Sequence, residues 1–249
     1  MCRLLVLRAP ERFDAAPWIA PFAARCEASK EFQGHGWGVS CWTEEGWRSY
    51  RSVTPIWEEV PETLPAADVV LVHARSAFRN EGIAVENNMP FVRDDLAFAF
   101  NGELRGVRLR APGETGAARL FHLLERFRGA GSPPGDGSAG AAGSAGSAAE
   151  PGDVTRAALE RLDRVVTERC AYVRAMNIVV SDGRDVWINS HHSEDPDYFT
   201  LREGSVEGFA GGLRMISSER FDVPVGRVVW SDVPNGVTIR LEGARACSS

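Results

Sequence analysis

Four short segments carry residue types that could do acyl-transfer chemistry. Cys2 directly follows Met1. Trimming of that methionine would leave a residue with a thiol and a free α-amino group, whose unperturbed pKa of about 7.7 to 8.0 lets it accept the thiol's proton near neutrality. One residue would then supply nucleophile and base. The competing structural reading is a small buried residue opening a strand. His73-Ala74-Arg75-Ser76-Ala77-Phe78 ends an apolar run in Arg75, whose guanidinium can grip a carboxylate with two parallel hydrogen bonds. Phe98 to Leu104 ends another apolar run at Asn101-Gly102, where a side-chain amide and a glycine N–H can point together at an oxyanion. Gln33 to Val39 is glycine-rich but lacks the spacing and lysine of a phosphate loop, and reads as strand and turn.

The elements that must position these residues follow from periodicity. Strands are expected at Cys2–Leu7, Gly36–Trp42, Val69–His73 and Leu96–Phe100, and again at Asn177–Ser181, Val186–Asn189, Arg214–Ser217, Val228–Trp230 and Val237–Leu241. Ser181-Asp182-Gly183-Arg184 and Pro234-Asn235-Gly236 carry hairpin signals. Between the two groups of strands, Ala117–Arg128 and Asp153–Cys170 place Leu120, Leu123, Leu124 and Phe127, and Val154, Ala158, Leu162 and Val165, on single helical faces, with Asp153 as the expected N-cap. The fold class is α+β.

From 129 to 152, 22 of 24 residues are Gly, Ala, Ser or Pro. Such a tract buries too little apolar surface to offset its ordering entropy, and the matching amphipathic segments on either side favour an insertion within one domain over a domain boundary.

Composition narrows the partners. The 249 residues carry 28 Lys+Arg and 34 Asp+Glu, a net charge of −6, which disfavours non-specific nucleic-acid binding. No apolar run approaches the length of a membrane span, and Arg3 and Arg8 interrupt the start of the chain, so the expected location is cytoplasmic. The five cysteines are scattered without any C-x-x-C, so neither a disulfide framework nor a metal site is expected. His191-His192, beside Glu194, Asp195 and Asp197, reads as a solvated loop.

Taken together and in order, Cys2-Arg3-Leu4-Leu5, Gly36-Trp37-Gly38, His73-x-Arg75-x-Ala77 and Asn101-Gly102 resemble the class II glutamine amidotransferases, N-terminal-nucleophile hydrolases whose mature chain begins with cysteine. Asn177–Gly183, Ile216–Glu219 and Trp230–Gly236 look like the second half of the stand-alone members. The resemblance implies a four-layer αββα sandwich of two mostly antiparallel sheets, a single domain over residues 2–249 interrupted by the 129–152 tract, and no cofactor. It further implies attack of Cys2 on a γ-glutamyl amide, an oxyanion held by Asn101 and Gly102, and Arg75 on the substrate's α-carboxylate. The released ammonia or amine is either free or passed to a separate synthetase.

The chain departs from the pattern at His35, Phe78 and Phe100, and at Gly116, where the family has the acidic residue that holds the substrate's α-amino group. Glu114 is the candidate replacement, with Glu103 a second. Loss of that carboxylate at Gly116 disfavours free glutamine and favours a larger γ-glutamyl compound. The rival reading is a non-catalytic sandwich kept as a regulatory or partner-binding module.

Overall fold

In a computed structural model of the protein, residues 1–131 and 151–242 are described; most of the 129–152 tract, and Cys247, lie outside them. The described residues form two antiparallel sheets. The first has the order β11-β9-β10-β1-β4-β2-β3, from β1 (Arg3–Phe13), β2 (Trp37–Thr43), β3 (Gly46–Ser52), β4 (Ala67–Ala74), β9 (Arg202–Glu207), β10 (Leu213–Ser217) and β11 (Arg227–Asp232). The second has the order β12-β8-β7-β6-β5, from β5 (Phe91–Arg93), β6 (Leu96–Arg105), β7 (Tyr172–Ser181), β8 (Val186–Ser190) and β12 (Val237–Arg240).

Strand alternation explains the layering. Leu4 and Val6 of β1, with Val69 and Leu71 of β4, face Ala97, Val179 and Ile188 of the second sheet in a buried cluster between the sheets. Their neighbours Leu5 and Leu7, with Val70 and Val72, point the other way and pack under Trp18, Ile19 and Phe22 of α1 (Ala16–Glu27). On the far side, Phe98, Ile178 and Val180 pack under Leu120 and Leu124 of α2 (Gly116–Gly131) and Leu159 and Leu162 of α3 (Pro151–Arg169). The result is helix, sheet, sheet, helices. Central strands buried on both faces read as unbroken apolar runs, so each fully buried Leu or Val side chain contributes roughly 1.5 to 3 kcal/mol from either face.

Several expectations are corrected. The helix α1 carries Pro17 in its first turn and Pro21 in its interior, and the latter hid it. Its presence also means that the helices are not all grouped between the two sets of strands. Asp153 is not the N-cap of α3, which begins at Pro151, and α2 extends to Gly131, inside the low-complexity tract. The 181–184 turn is a hairpin between β7 and β8, with Asp182 Oδ1 accepting from the N–H groups of Arg184 (3.1 Å) and Asp185 (2.8 Å). Pro234-Asn235-Gly236 is not a hairpin, because β11 and β12 lie in different sheets. There Asn235 bridges instead to the backbone N–H and C=O of His192, both at 2.8 Å.

Candidate active site

Cys2 sits just before β1, at the end of the first sheet where β4 delivers Arg75. It is half-buried. The Ser76 N–H donates to its Sγ at 3.4 Å. Burial pushes the thiol above its usual pKa, while that N–H, the chain's terminal ammonium and Arg75 pull it down. With Met1 in place, burial wins and the sulfur is a protonated thiol at neutral pH.

Met1 caps the residue. Its ammonium pairs with Glu31. Its carbonyl, the one bonded to the Cys2 nitrogen, accepts from Gln33 Nε2 (2.5 Å) and from the Tyr198 hydroxyl (2.8 Å). Gln33 is fully buried, and its Oε1 has no partner. Tyr198 is held under the buried Arg3, whose guanidinium carbon lies 3.8 Å from the ring centroid and which also pairs with Glu219 at 2.5 Å. In the sequence Gln33 reads only as the start of a strand-and-turn segment and Tyr198 carries no signal, since only folding brings residue 198 to residue 1.

Arg75 is 7% exposed, and its Nη1 donates to Asn88 Oδ1 at 3.3 Å. Burial lowers the guanidinium's pKa, opposed by the neighbouring Cys2. The loop that carries it is strapped to His35, whose N–H donates to the Arg75 carbonyl (3.1 Å) and whose Nδ1 accepts from the Ala77 N–H (2.9 Å). His35 is thus a structural support. Gly36 has φ +107°, and a Cβ there would meet Asn88 Nδ2 at 2.3 Å, so only glycine lets this strap close.

Asn101 and Asn177 are register partners on β6 and β7, both fully buried. Asn177 is satisfied: its Nδ2 donates to the Phe199 carbonyl (2.7 Å) and its Oδ1 accepts from the His191 N–H (3.2 Å). Neither Nδ2 nor Oδ1 of Asn101 has a partner. A buried amide left unpaired costs about 1 to 3 kcal/mol, and such groups call for a role. Beside it, Gly102 packs so closely on β7 that a Cβ would lie 2.1 Å from the Ala175 carbonyl oxygen. The β6–β7 register shifts immediately afterwards, between Glu103 and Leu104.

Cys2 and Gly102 line one cavity of about 600 Å³, together with Ser76, Phe78, Glu103 and Leu120. It is roofed by the first turn of α2. Arg75 and Asn101 are buried and are not among the residues that line it. Glu114 is exposed and outside the lining, whereas Glu103 and Glu31 are within it. His192 is buried and bridges to Ala175, whereas residues 193–197 are exposed, so the solvated-loop reading holds for the acidic stretch and not for His192. Among the described residues, no group of three or more His, Cys, Asp or Glu could hold a metal ion, and no helix is long and apolar enough to cross a membrane.

Comparison with known proteins places this architecture. A glutamine aminotransferase class-II domain protein from Silicibacter pomeroyi superposes with a TM-score of 0.57 over 98% of this chain and 100% of its own, at 15% identity. The fold is that of a class II glutamine amidotransferase domain. No family model matches the chain, and no curated protein does. In the terms of this amidotransferase fold, Cys2 before β1, Ser76 and Ala77 after β4 and Gly102 within β6 line one cavity of the sandwich.

Proposed function

We propose that the protein is a cysteine-dependent amidohydrolase that cleaves γ-glutamyl amides through a γ-glutamyl thioester. The observation that carries this reading is the placement of Cys2 and Gly102, from opposite sheets, on one cavity beside the buried, unpaired Asn101 amide. A pure scaffold gains nothing from an unsatisfied Asn at that point.

Removal of Met1 frees the Cys2 amine among Gln33 and Tyr198, the two donors that hold the Met1 carbonyl in the unprocessed chain. The amine takes the proton of the thiol, and the thiolate attacks the amide carbonyl carbon. Charge builds on the carbonyl oxygen, where the Asn101 Nδ2 and the backbone N–H at Gly102 receive it. The proton passes to the departing nitrogen, the C–N bond breaks, and the amine leaves a thioester on Cys2. Water, deprotonated by the same amine, then attacks the thioester carbon; the C–S bond breaks and the γ-carboxylate departs.

Arg75 takes the α-carboxylate of the glutamyl group. Glu31, which holds an ammonium in this cavity while Met1 is present, takes the α-ammonium once Met1 has gone. That assignment supplies a carboxylate that Gly116 lacks.

The test is alkylation with 6-diazo-5-oxo-norleucine, followed by peptide mass analysis. A single adduct on Cys2 of the trimmed chain supports the reading, and Cys2→Ala must abolish it. Retained Met1 with an inert Cys2 would instead favour the non-catalytic module.

A further inference from the structure

The cavity is larger and more cationic than a glutamyl group requires. Its volume of about 600 Å³ is in the range of pockets that bury drug-sized ligands. In a chain of net charge −6, four guanidinium groups line it, those of Arg79, Arg105, Arg119 and Arg174, against the two carboxylates of Glu31 and Glu103.

The pairings sort these charges. Glu103 is engaged by Arg105 (2.6 Å) and Arg174 (3.1 Å), and Arg174 is further paired with Asp195 (2.5 Å) and Glu194 (3.5 Å). Glu31 holds the chain's ammonium. Arg79 and Arg119 remain: among the described residues no carboxylate lies within 4.0 Å of either.

They come from two elements. Arg79 lies in the loop after β4, with its guanidinium carbon 5.1 Å from the ring centroid of Phe78, an aromatic side chain 65% exposed at the cavity. Arg119 is in the first turn of α2; its Nε donates to the Gly113 carbonyl at 2.9 Å, which leaves the terminal nitrogens of the fork for another acceptor. That turn adds the positive end of a 16-residue helix, and at Gly116 it carries no side chain to neutralise it. Leu104, Val107 and Leu109 give the same cavity an apolar wall.

We infer that the amine half of the substrate is anionic: a γ-glutamyl amide whose leaving amine carries an apolar body and at least one acidic group, received by Arg79 and Arg119. This rests on the γ-glutamyl amide reading above and names the substrate class of that site. Arg75 serves the glutamyl end, so these two guanidinium groups are surplus to it.

Two chromogenic amides that differ by one carboxylate test the inference, γ-glutamyl-4-nitroanilide and γ-glutamyl-3-carboxy-4-nitroanilide. The readouts are kcat/KM for each, and the concentration of each that halves the rate of Cys2 alkylation by 6-diazo-5-oxo-norleucine, which needs no turnover. Alkylation of Cys2 tests the parent reading separately. The carboxylated amide is expected to be preferred by about tenfold in both readouts. The preference should shrink as ionic strength rises from about 0.05 to 0.5 M, and the ratio should fall toward one in Arg79→Ala and Arg119→Ala. A ratio of one or below in the parent chain, with Cys2 still alkylated, overturns the inference and leaves the amidohydrolase standing. So does a preference that survives both substitutions. An unlabelled Cys2 overturns both.

Discussion

The Nε2–H of His73 donates to the carbonyl oxygen of Phe100 at 3.2 Å, and this bond ties the strand that leads to Arg75 in one sheet to the strand that leads to Asn101 in the other. Burial pushes the imidazole down to about 3, helped by Arg75 and opposed by that carbonyl, so His73 is neutral throughout the working range. Being a carbonyl's donor through Nε2, it leaves Nδ1 as a buried acceptor without a partner.

His73 is therefore a positioning residue and not a general base. Replacement by leucine strands the Phe100 carbonyl and should cost about 1 to 3 kcal/mol, read as a lower midpoint in urea unfolding. It should also lower kcat, while the pH profile between 5 and 9 keeps its shape. A lost limb in that profile would make His73 a participant in proton transfer.

Asn101→Leu separates catalysis from stability. Leucine copies the branched skeleton of asparagine, and what its extra bulk costs is offset by the removal of two buried polar atoms that have no partner. The variant should melt no lower than the parent, yet turn over at least about 100-fold more slowly, the loss typical of one oxyanion donor. A variant that melts lower and keeps its activity would make Asn101 structural.

For Glu31→Gln, the discriminating pair is a γ-glutamyl anilide against its glutaryl analogue, which lacks the α-ammonium. KM for the glutamyl substrate should rise about tenfold while that for the glutaryl substrate stays level, because only the former loses a charge-assisted contact. Equal effects on both would place the α-ammonium elsewhere.

One stability effect involves residues that do not line the cavity. His191 Nδ1 is 3.1 Å from Asp163 Oδ1, and this hydrogen bond raises the imidazole's pKa above its usual value, against a smaller opposing effect of burial. A raised folded pKa gives stability that is fully present below the unfolded value of about 6.5 and is lost as pH rises through the folded one. The parent should therefore lose more melting temperature than Asp163→Asn between pH 6 and pH 9. Parallel pH curves for the two proteins would remove the pair from the stability account.

Legibility in the sequence tracked how local each signal was. Each of the nine expected strands overlaps an observed one, although β1, β6 and β7 run well beyond the expected bounds; the central ones, buried on both faces, write continuous apolar runs, and the more exposed β11 and β12 keep short β-branched ones. Of the site, Cys2 and Gly102 line the cavity, while Asn101 and Arg75 are buried and not among its lining residues. What stayed hidden depends on contacts across long sequence separations: Tyr198 and Gln33 on Met1, His73 on Phe100, and Glu31 on the chain terminus. The weakly alternating β3, β5 and β9 were missed too, as β3 lies at the edge of its sheet with polar, exposed Arg48 and Ser49 and β5 has only three residues.

The account stands on Cys2 acting as nucleophile only once its own amine is free. Its other buried thiols are poor competitors: burial pushes Cys41 up to about 12 and Cys26 higher still. The most direct measurement compares the rate of 6-diazo-5-oxo-norleucine adduct formation, by intact and peptide mass, for the trimmed chain and for one with a lysine inserted between Met1 and Cys2 to block trimming. The predicted result is one adduct, on Cys2, in the trimmed chain and none in the blocked chain. Equal labelling of the two chains, or a trimmed chain that does not react at Cys2, would contradict it.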